Sequence, residues 1–318
     1  MAHMVETMAY AGELPWHGLG EKVSNDLTPR QMMQKAGVDW EVHEVESFVE
    51  FNGQRLATGQ KSLVRGTDGK ILTNVGADWK PCQNETAFDF FSEFVLSGDM
   101  EMHTAGSLRD GQYVWALAKV KESFDVFGED TVESYLLFSN PHVYGKSIDV
   151  RFTPIRVVCN NTLTMSLRMN ATNGVKVGHR TEFNADSVKE TLGLAHEKFA
   201  KYKEMAEFLG SRKVTAETLI AYYDKVFPNT SRSENKKEVS QYEDLSRNAK
   251  LCYDALEVQP GAEFAAGTWW QAFNSVTFIT DHVQGRNADN RLHSQWFGQN
   301  AARKVVAAEE AVAFATAA

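Results

Sequence analysis

The spacing of apolar residues changes character near the middle of the chain. Upstream, Val42 to Phe51, Leu56 to Arg65 and Lys70 to Val75 are short apolar-rich runs separated by Asn52-Gly53 and Asp68-Gly69. Both dipeptides accept the positive φ angles of a tight hairpin, so the stretch predicts a three-stranded meander. Gln112 to Val120, Ser134 to Phe138 and Ser147 to Val158 are also β-rich, the last alternating through Ile148, Val150, Phe152, Ile155 and Val157. Helices interrupt these strands. Thr28 and Pro29 open one that stops at Gly37, Asn84 to Leu96 places Phe88, Phe91, Phe94 and Val95 on one face, and Asn160-Asn161-Thr162 offers caps ahead of Leu163 to Met169.

Downstream the period lengthens. Val188, Leu192, Ala195, Phe199, Tyr202, Ala206 and Leu209 recur at steps of four and three, which predicts a single amphipathic helix, a surface for a core or for a partner helix. Thr215 to Phe227, Tyr242 to Leu256, Thr268 to His282 and Leu292 to Thr316 predict four more, with a polar, mobile loop at 228–241 between the first two. The expected fold is α+β: a β-meander and antiparallel sheet with packed helices in the N-terminal half, and a helical C-terminal half. The expected domains are 1–183, holding a basic strand-helix unit, and 184–318.

Composition removes several classes of protein. With 43% hydrophobic and 11% aromatic residues, a chain of 318 residues fills a core without staples. Its three cysteines, Cys82, Cys159 and Cys252, fit neither a disulfide framework nor a paired-cysteine metal site, which points to a reducing cytoplasm. No apolar run reaches the roughly 18 residues a membrane span needs, and Met1 to Tyr10 lacks the basic and apolar regions of a secretion signal.

The formal net charge of −9 argues against a polyanionic partner until the charges are placed. Lys146, Arg151, Arg156, Arg168, Lys176 and Arg180 face Asp149 alone within 146–180, and Arg286, Arg291, Arg303 and Lys304 face Asp289 alone within 282–304. These local excesses of +5 and +3 leave −17 on the rest of the chain, a segregation that suggests an anion-binding face on an acidic body.

Each candidate centre has a plainer reading beside it. Gly145-Lys146-Ser147 resembles the end of a phosphate loop, but Asn140 stands where that loop needs glycine and a strand follows where it needs a helix. Trp16-His17-Gly18-Leu19-Gly20 is a ligand loop or a turn whose tryptophan plugs a core. Cys159 is a nucleophile at a strand-to-helix corner or a small buried hydrophobe. No two histidines stand four apart on a predicted helix, so a metal centre is expected only from distant convergence, and no metal or other cofactor is assigned. Asp281 and His282 are adjacent and point about 100° apart on a helix, which does not favour a shared metal. No catalytic constellation emerges.

Several strings taken together resemble one family: Met1-Ala2-His3, Trp16 to Gly20, Thr153-Pro154-Ile155-Arg156-Val157-Val158-Cys159-Asn160-Asn161-Thr162-Leu163, His179-Arg180-Thr181, Gly267-Thr268-Trp269, Asp281-His282, Phe297-Gly298 and Lys304. They are similar to the phage/plasmid-like branch of the family named domain of unknown function 932, except that its members tend to read Arg-His where this chain has His179-Arg180. The resemblance implies a mobile genetic element, the host cytoplasm and nucleic-acid metabolism, and carries no catalytic residue across. At the level of fold analogy, the meander, basic strand-helix unit and helical C-terminus also resemble phage single-strand annealing proteins of the Red-beta and RecT kind.

The function expected from these features is non-enzymatic binding or annealing of single-stranded DNA by a homo-oligomer in the cytoplasm, with no membrane contact. Its expected contacts are Lys146, Arg151, Arg156, Arg168, Lys176, His179, Arg180, Arg286, Arg291, Arg303 and Lys304, with Trp296 or Trp270 as a base-stacking platform. The alternative is a protein-interaction or counter-defence factor that binds a host protein, suggested by the acidic remainder; a hydrolase or nuclease is a third reading.

Overall fold

The computed structural model describes residues 4–13, 15, 18–128, 130–156, 161–162, 174–192, 195–229, 241–285 and 290–317. In chain order the strands are β1 (Val5–Ala11), β2 (Glu21–Val23), β3 (Val42–Phe51), β4 (Gln54–Arg65), β5 (Ile71–Gly76), β6 (Met100–Leu108), β7 (Tyr113–Asp125), β8 (Thr131–Pro141), β9 (Ile148–Arg156), β10 (Asn161–Thr162) and β11 (Gly174–Val177). The helices are α1 (Pro29–Lys35), α2 (Asn84–Asp89), α3 (Ser92–Leu96), α4 (Ala185–Leu192), α5 (Ala195–Ser211), α6 (Ala216–Val226), α7 (Arg247–Asp254), α8 (Trp269–Phe278), α9 (Arg291–Phe297) and α10 (Gln299–Ala317). A π-helical stretch, Ile279–Val283, continues α8. The fold is α+β, with strands mostly upstream and helices mostly downstream.

The predicted meander is present as a sheet of its own, in the order β3-β4-β5. Asn52 and Gly53 take φ of +50° and +75°, the conformation that a two-residue turn between right-twisted strands requires. Beyond a register shift between Glu46 and Phe48, the β3–β4 hairpin stands exposed on both faces, with Phe51 64% and Val49 52% accessible. The second sheet has the order β10-β9-β8-β7-β6-β1-β2, with β11 also paired to β9. The β1 strand and its parallel pairing with β2 had no counterpart in the sequence reading.

Chain contacts divide the molecule into two units, and the division is discontinuous rather than at 183/184. Unit 1 holds Met1–Lys121, Tyr135–Phe152 and Gly174–Leu194; unit 2 holds Glu122–Ser134, Thr153–Asn173 and Ala195–Ala318. The boundaries fall inside β7, β8 and β9.

Unit 1 is cored by aromatic and small side chains. Phe90 lies 5.4 Å from Phe138 and 6.1 Å from Phe183, with Phe91 and Trp115 also buried. Where β1 crosses β6, only glycine fits: a Cβ on Gly106 would overlap the Thr7 carbonyl and stand 2.5 Å from the Trp115 ring. Gly106→Ala is therefore expected to destabilise unit 1 by about 2 kcal/mol, because backbone and a locked indole must both move. A thermal-unfolding midpoint equal to wild type would refute it.

Unit 2 is helical and packs on α8, which is apolar or small almost all round and accordingly buried. Trp269 stacks on Phe314 at 5.4 Å, Trp270 Nε1 donates to Asp130 at 3.0 Å, and Tyr223 bonds Ser275 at 2.7 Å. Ala307, Ala308, Ala311 and Ala315 form the buried stripe of α10 and let it approach closely. The helix predicted at Leu292 to Thr316 is two, separated at Gly298, which is extended. The predicted helix at Asn84 to Leu96 likewise divides into α2 and α3. The predicted Val188 to Leu209 stripe is carried by α4 and α5, with 193–194 outside the described residues. The predicted helix at Leu163 to Met169 and most of the predicted mobile loop, 230–240, also lie outside them.

Candidate nucleic-acid interface

The basic strand-helix region is built on β9. Its residues Ile148 to Arg151 pair antiparallel with Val177 to Gly174 of β11, which places Lys176 opposite Asp149 and Gly174 opposite Arg151. A Cβ on Gly174 would stand 2.5 Å from the Val150 carbonyl and 2.6 Å from Arg151 Cβ, so glycine is what allows the two strands to close at that point.

Lys146 precedes this ladder in an exposed loop, Lys176 lies exposed within it, and Arg180 follows it, also exposed. The Ile148–Val177 pair brings the two ends of the segment together, so these three cations share one end of the β9–β11 edge. Arg151 is committed locally. Its guanidinium grips Asp149 through Nε at 3.0 Å and through Nη2, and the carboxylate is only 12% exposed. Close by, Lys80 holds Glu182 at 3.0 Å.

The remaining predicted contacts divide sharply. His179 is not a surface contact: it is 4% exposed, stacked on Trp79 with ring centroids 3.9 Å apart, and bonded through Nδ1 to the Lys80 carbonyl at 3.1 Å. Burial lowers its pKa, opposed in part by the Lys80 and Pro141 carbonyls. Arg156 lies at the end of β9, but its side chain is outside the described residues, as are Arg168 and Arg286 entirely.

In the C-terminal segment, Lys304 is buried at 0% exposure and bonded to the equally buried Asp281 at 2.7 Å, so it presents no surface to a ligand. Arg303 donates to the Val226 carbonyl and covers the Phe227 ring at 5.1 Å. Arg291 and Trp296 on α9 are half-buried, and Trp296 meets Phe297 edge-on at 6.0 Å. Trp269, Trp270 and Phe273 are core, so none of these three is a base-stacking platform. The sequence carried a sign of this: Lys304 falls on the stripe that continues through Ala307, Ala308 and Ala311, a buried face rather than a solvated one.

The other candidate centres resolve more simply. Gly145-Lys146-Ser147 is an exposed turn that runs into β9. Gly20 takes φ +105° and lies against Met8 and Tyr10, where a Cβ would be 3.1 Å from both; Trp16 and His17 are outside the described residues. Burial pushes the Cys82 thiol up to about 12, and Cys252 is also buried and raised, so neither is a thiolate at neutral pH; Cys159 lies outside the described residues. Among the described residues no three of His, Cys, Asp or Glu gather into a metal-binding group, and no helix is long and apolar enough to cross a membrane.

One buried cluster was not visible in the sequence. Asn84 donates through Nδ2 to the carbonyls of Val38 at 3.0 Å and Trp40 at 3.3 Å, so its Oδ1 is an acceptor. That oxygen receives His142 Nε2 at 3.0 Å and Asn140 Nδ2 at 3.2 Å, and Asn140 Nδ2 also reaches the Cys82 carbonyl at 2.9 Å. His142 is fully buried and its pKa is pushed down to about 3, first by burial and then by His179.

A family model described as domain of unknown function (DUF932) matches residues 71–304 of the chain, which includes β9, β11 and the buried cluster. No curated protein and no solved structure matches it.

Proposed function

The chain belongs to the domain of unknown function 932 family, and from its charge placement we propose that it is a non-enzymatic protein that binds and anneals single-stranded DNA for a phage or plasmid in the host cytoplasm. The observation that carries this reading is the set of exposed cations on the β9–β11 edge, Lys146, Lys176 and Arg180, on a chain whose net charge is −9. Exposed ammonium and guanidinium groups on a strand edge contact phosphates without reading bases, so binding is indifferent to sequence. Three contacts on one subunit give weak binding, and a homo-oligomer that repeats the edge along one strand converts weak contacts into tight ones.

Fluorescence anisotropy with a labelled single strand and with its duplex tests this directly. With three phosphate contacts the affinity per subunit should fall roughly twentyfold between about 50 and 200 mM salt. Lys176→Glu with Arg180→Glu should weaken binding at least tenfold, by roughly 0.7 kcal/mol or more per lost contact, and flatten the salt slope. Flat anisotropy at the lowest salt overturns the proposal and transfers the acidic chain to the protein-partner reading. An unchanged salt slope in the double variant assigns binding to another surface.

A further inference from the structure

Cations on a strand edge hold phosphates whether the nucleic acid is single or double, so a preference for the single strand needs a group that meets an unpaired base. The expected tryptophan platforms do not supply it, since Trp270 is core and Trp296 is half-buried against Phe297. Among the described residues, the exposed phenylalanine, tyrosine and tryptophan rings are those of Phe48, Phe51 and Tyr144. Phe48 and Phe51 stand on the β3–β4 hairpin, whereas Tyr144 lies two residues before Lys146 in the loop that joins β8 to β9. Tyr144 is 69% accessible, and among the described residues its side chain takes no hydrogen bond and stacks on no ring.

That loop is short and held at both ends. His142 is buried and its amide donates to the Gln112 carbonyl at 2.8 Å, while Ile148, 1% exposed, opens β9. Between them the Lys146 amide donates to the Val143 carbonyl at 3.2 Å, with Tyr144 and Gly145 as the central residues and Gly145 at φ +75°, the form of a type II turn. The same two ends are tied to the segment that follows β11. Ile148 pairs with Val177, and the Pro141 carbonyl meets the His179 ring. The loop is thereby fixed against residues 177 and 179, beside which stand the exposed Lys176 and Arg180. Tyr144 and Lys146 are themselves no more than about 7 Å apart along the backbone.

We propose that Tyr144 stacks on an unpaired base of the strand whose phosphates Lys146, Lys176 and Arg180 hold, and that this contact sets the preference for single-stranded over double-stranded nucleic acid. The inference rests on the nucleic-acid reading above and adds to it the base contact that phosphate-binding cations do not provide. A base in a duplex already has a neighbour on each face, so it must be unstacked before it can meet Tyr144, whereas a base in a single strand offers a free face. Every base has such a face, so stacking leaves binding as indifferent to sequence as the phosphate contacts do. The ordering cost is small, because the turn fixes the backbone and a tyrosine has only two side-chain angles to lose.

The test is fluorescence anisotropy of full-length Tyr144→Ala with a labelled oligothymidylate and with a duplex of equal length. Single-strand affinity should fall about tenfold while duplex affinity stays the same. The salt slope should remain that of the wild type, because no charge is removed. Tyr144→Trp should keep the affinity, and the thermal-unfolding midpoint of Tyr144→Ala should match the wild type, since the side chain is exposed. A strand of abasic sites keeps every phosphate and needs no variant: wild type should bind it as weakly as Tyr144→Ala binds the intact strand, with no further loss when the two changes are combined. Undiminished single-strand affinity in Tyr144→Ala, or an equal loss on the duplex, overturns the stacking and leaves the cation edge in place. No binding by the wild type to either nucleic acid at the lowest salt removes the nucleic-acid reading and this inference with it.

Discussion

Lys304→Met is expected to cost unit 2 about 3–5 kcal/mol, among the largest losses any single substitution in this chain should produce. The Lys304 ammonium bonds Asp281 Oδ1 at 2.7 Å with both side chains at 0% exposure, so the substitution strips the ammonium from a carboxylate that water does not reach. The carboxylate is also fixed in place. It lies in the π-helical stretch Ile279–Val283, where Thr280 donates to the Val276 carbonyl at 2.9 Å and itself receives Asn300 Nδ2 at 2.5 Å through its own carbonyl. Asp281→Asn added to Lys304→Met should recover part of the loss, because a neutral amide is far cheaper to bury than a carboxylate. Urea unfolding followed by helical circular dichroism measures both. A single-variant loss below about 1 kcal/mol, or a double variant as unstable as the sum of the singles, would show that the pair is not coupled in this way.

The same pair shows where sequence reasoning reached and where it stopped. Local chemistry was legible: Asn52-Gly53 forms its turn, and Thr28 caps α1 ahead of Pro29. Each of these depends on residues within a few positions of one another. The charge-based site was legible only in part, because charge counts along a chain do not say which side chains face water. Lys146, Lys176 and Arg180 are exposed, whereas Arg151 is engaged by Asp149 two residues away and Lys304 by Asp281, 23 residues away. Helical spacing in α10 held the missing clue for Lys304.

The buried cluster had no such clue. Asn84, Asn140, His142 and His179 are spread over nearly a hundred residues, and only the pairing of β9 with β11 and the return of the chain past Lys80 bring them together. Convergence of this kind is set by topology, which single-sequence spacing does not encode.

That cluster also sets a pH dependence. Acidification from pH 7 to pH 5 is expected to destabilise unit 1 by about 2 kcal/mol through His142 alone. Its folded pKa, about 3, lies below the ordinary value of 6.5, because burial and the nearby His179 disfavour the charged ring. The unfolded chain therefore binds a proton that the folded one refuses. The stabilising contribution is complete above pH 6.5 and is lost progressively as the pH falls from there toward 3. His179, also lowered, acts in the same direction. Carboxylates act later: Asp68, held down to about 2 chiefly by its bond to Arg65, loses its contribution only below its ordinary 3.8. The interval between pH 6.5 and 4.5 thus belongs to the histidines. Urea midpoints of wild type and His142→Gln, measured across that interval, should converge as the pH falls, since glutamine keeps an amide donor for Asn84 Oδ1 but has nothing to titrate. Parallel profiles would mean that His142 takes up its proton in the folded protein as easily as in the unfolded chain.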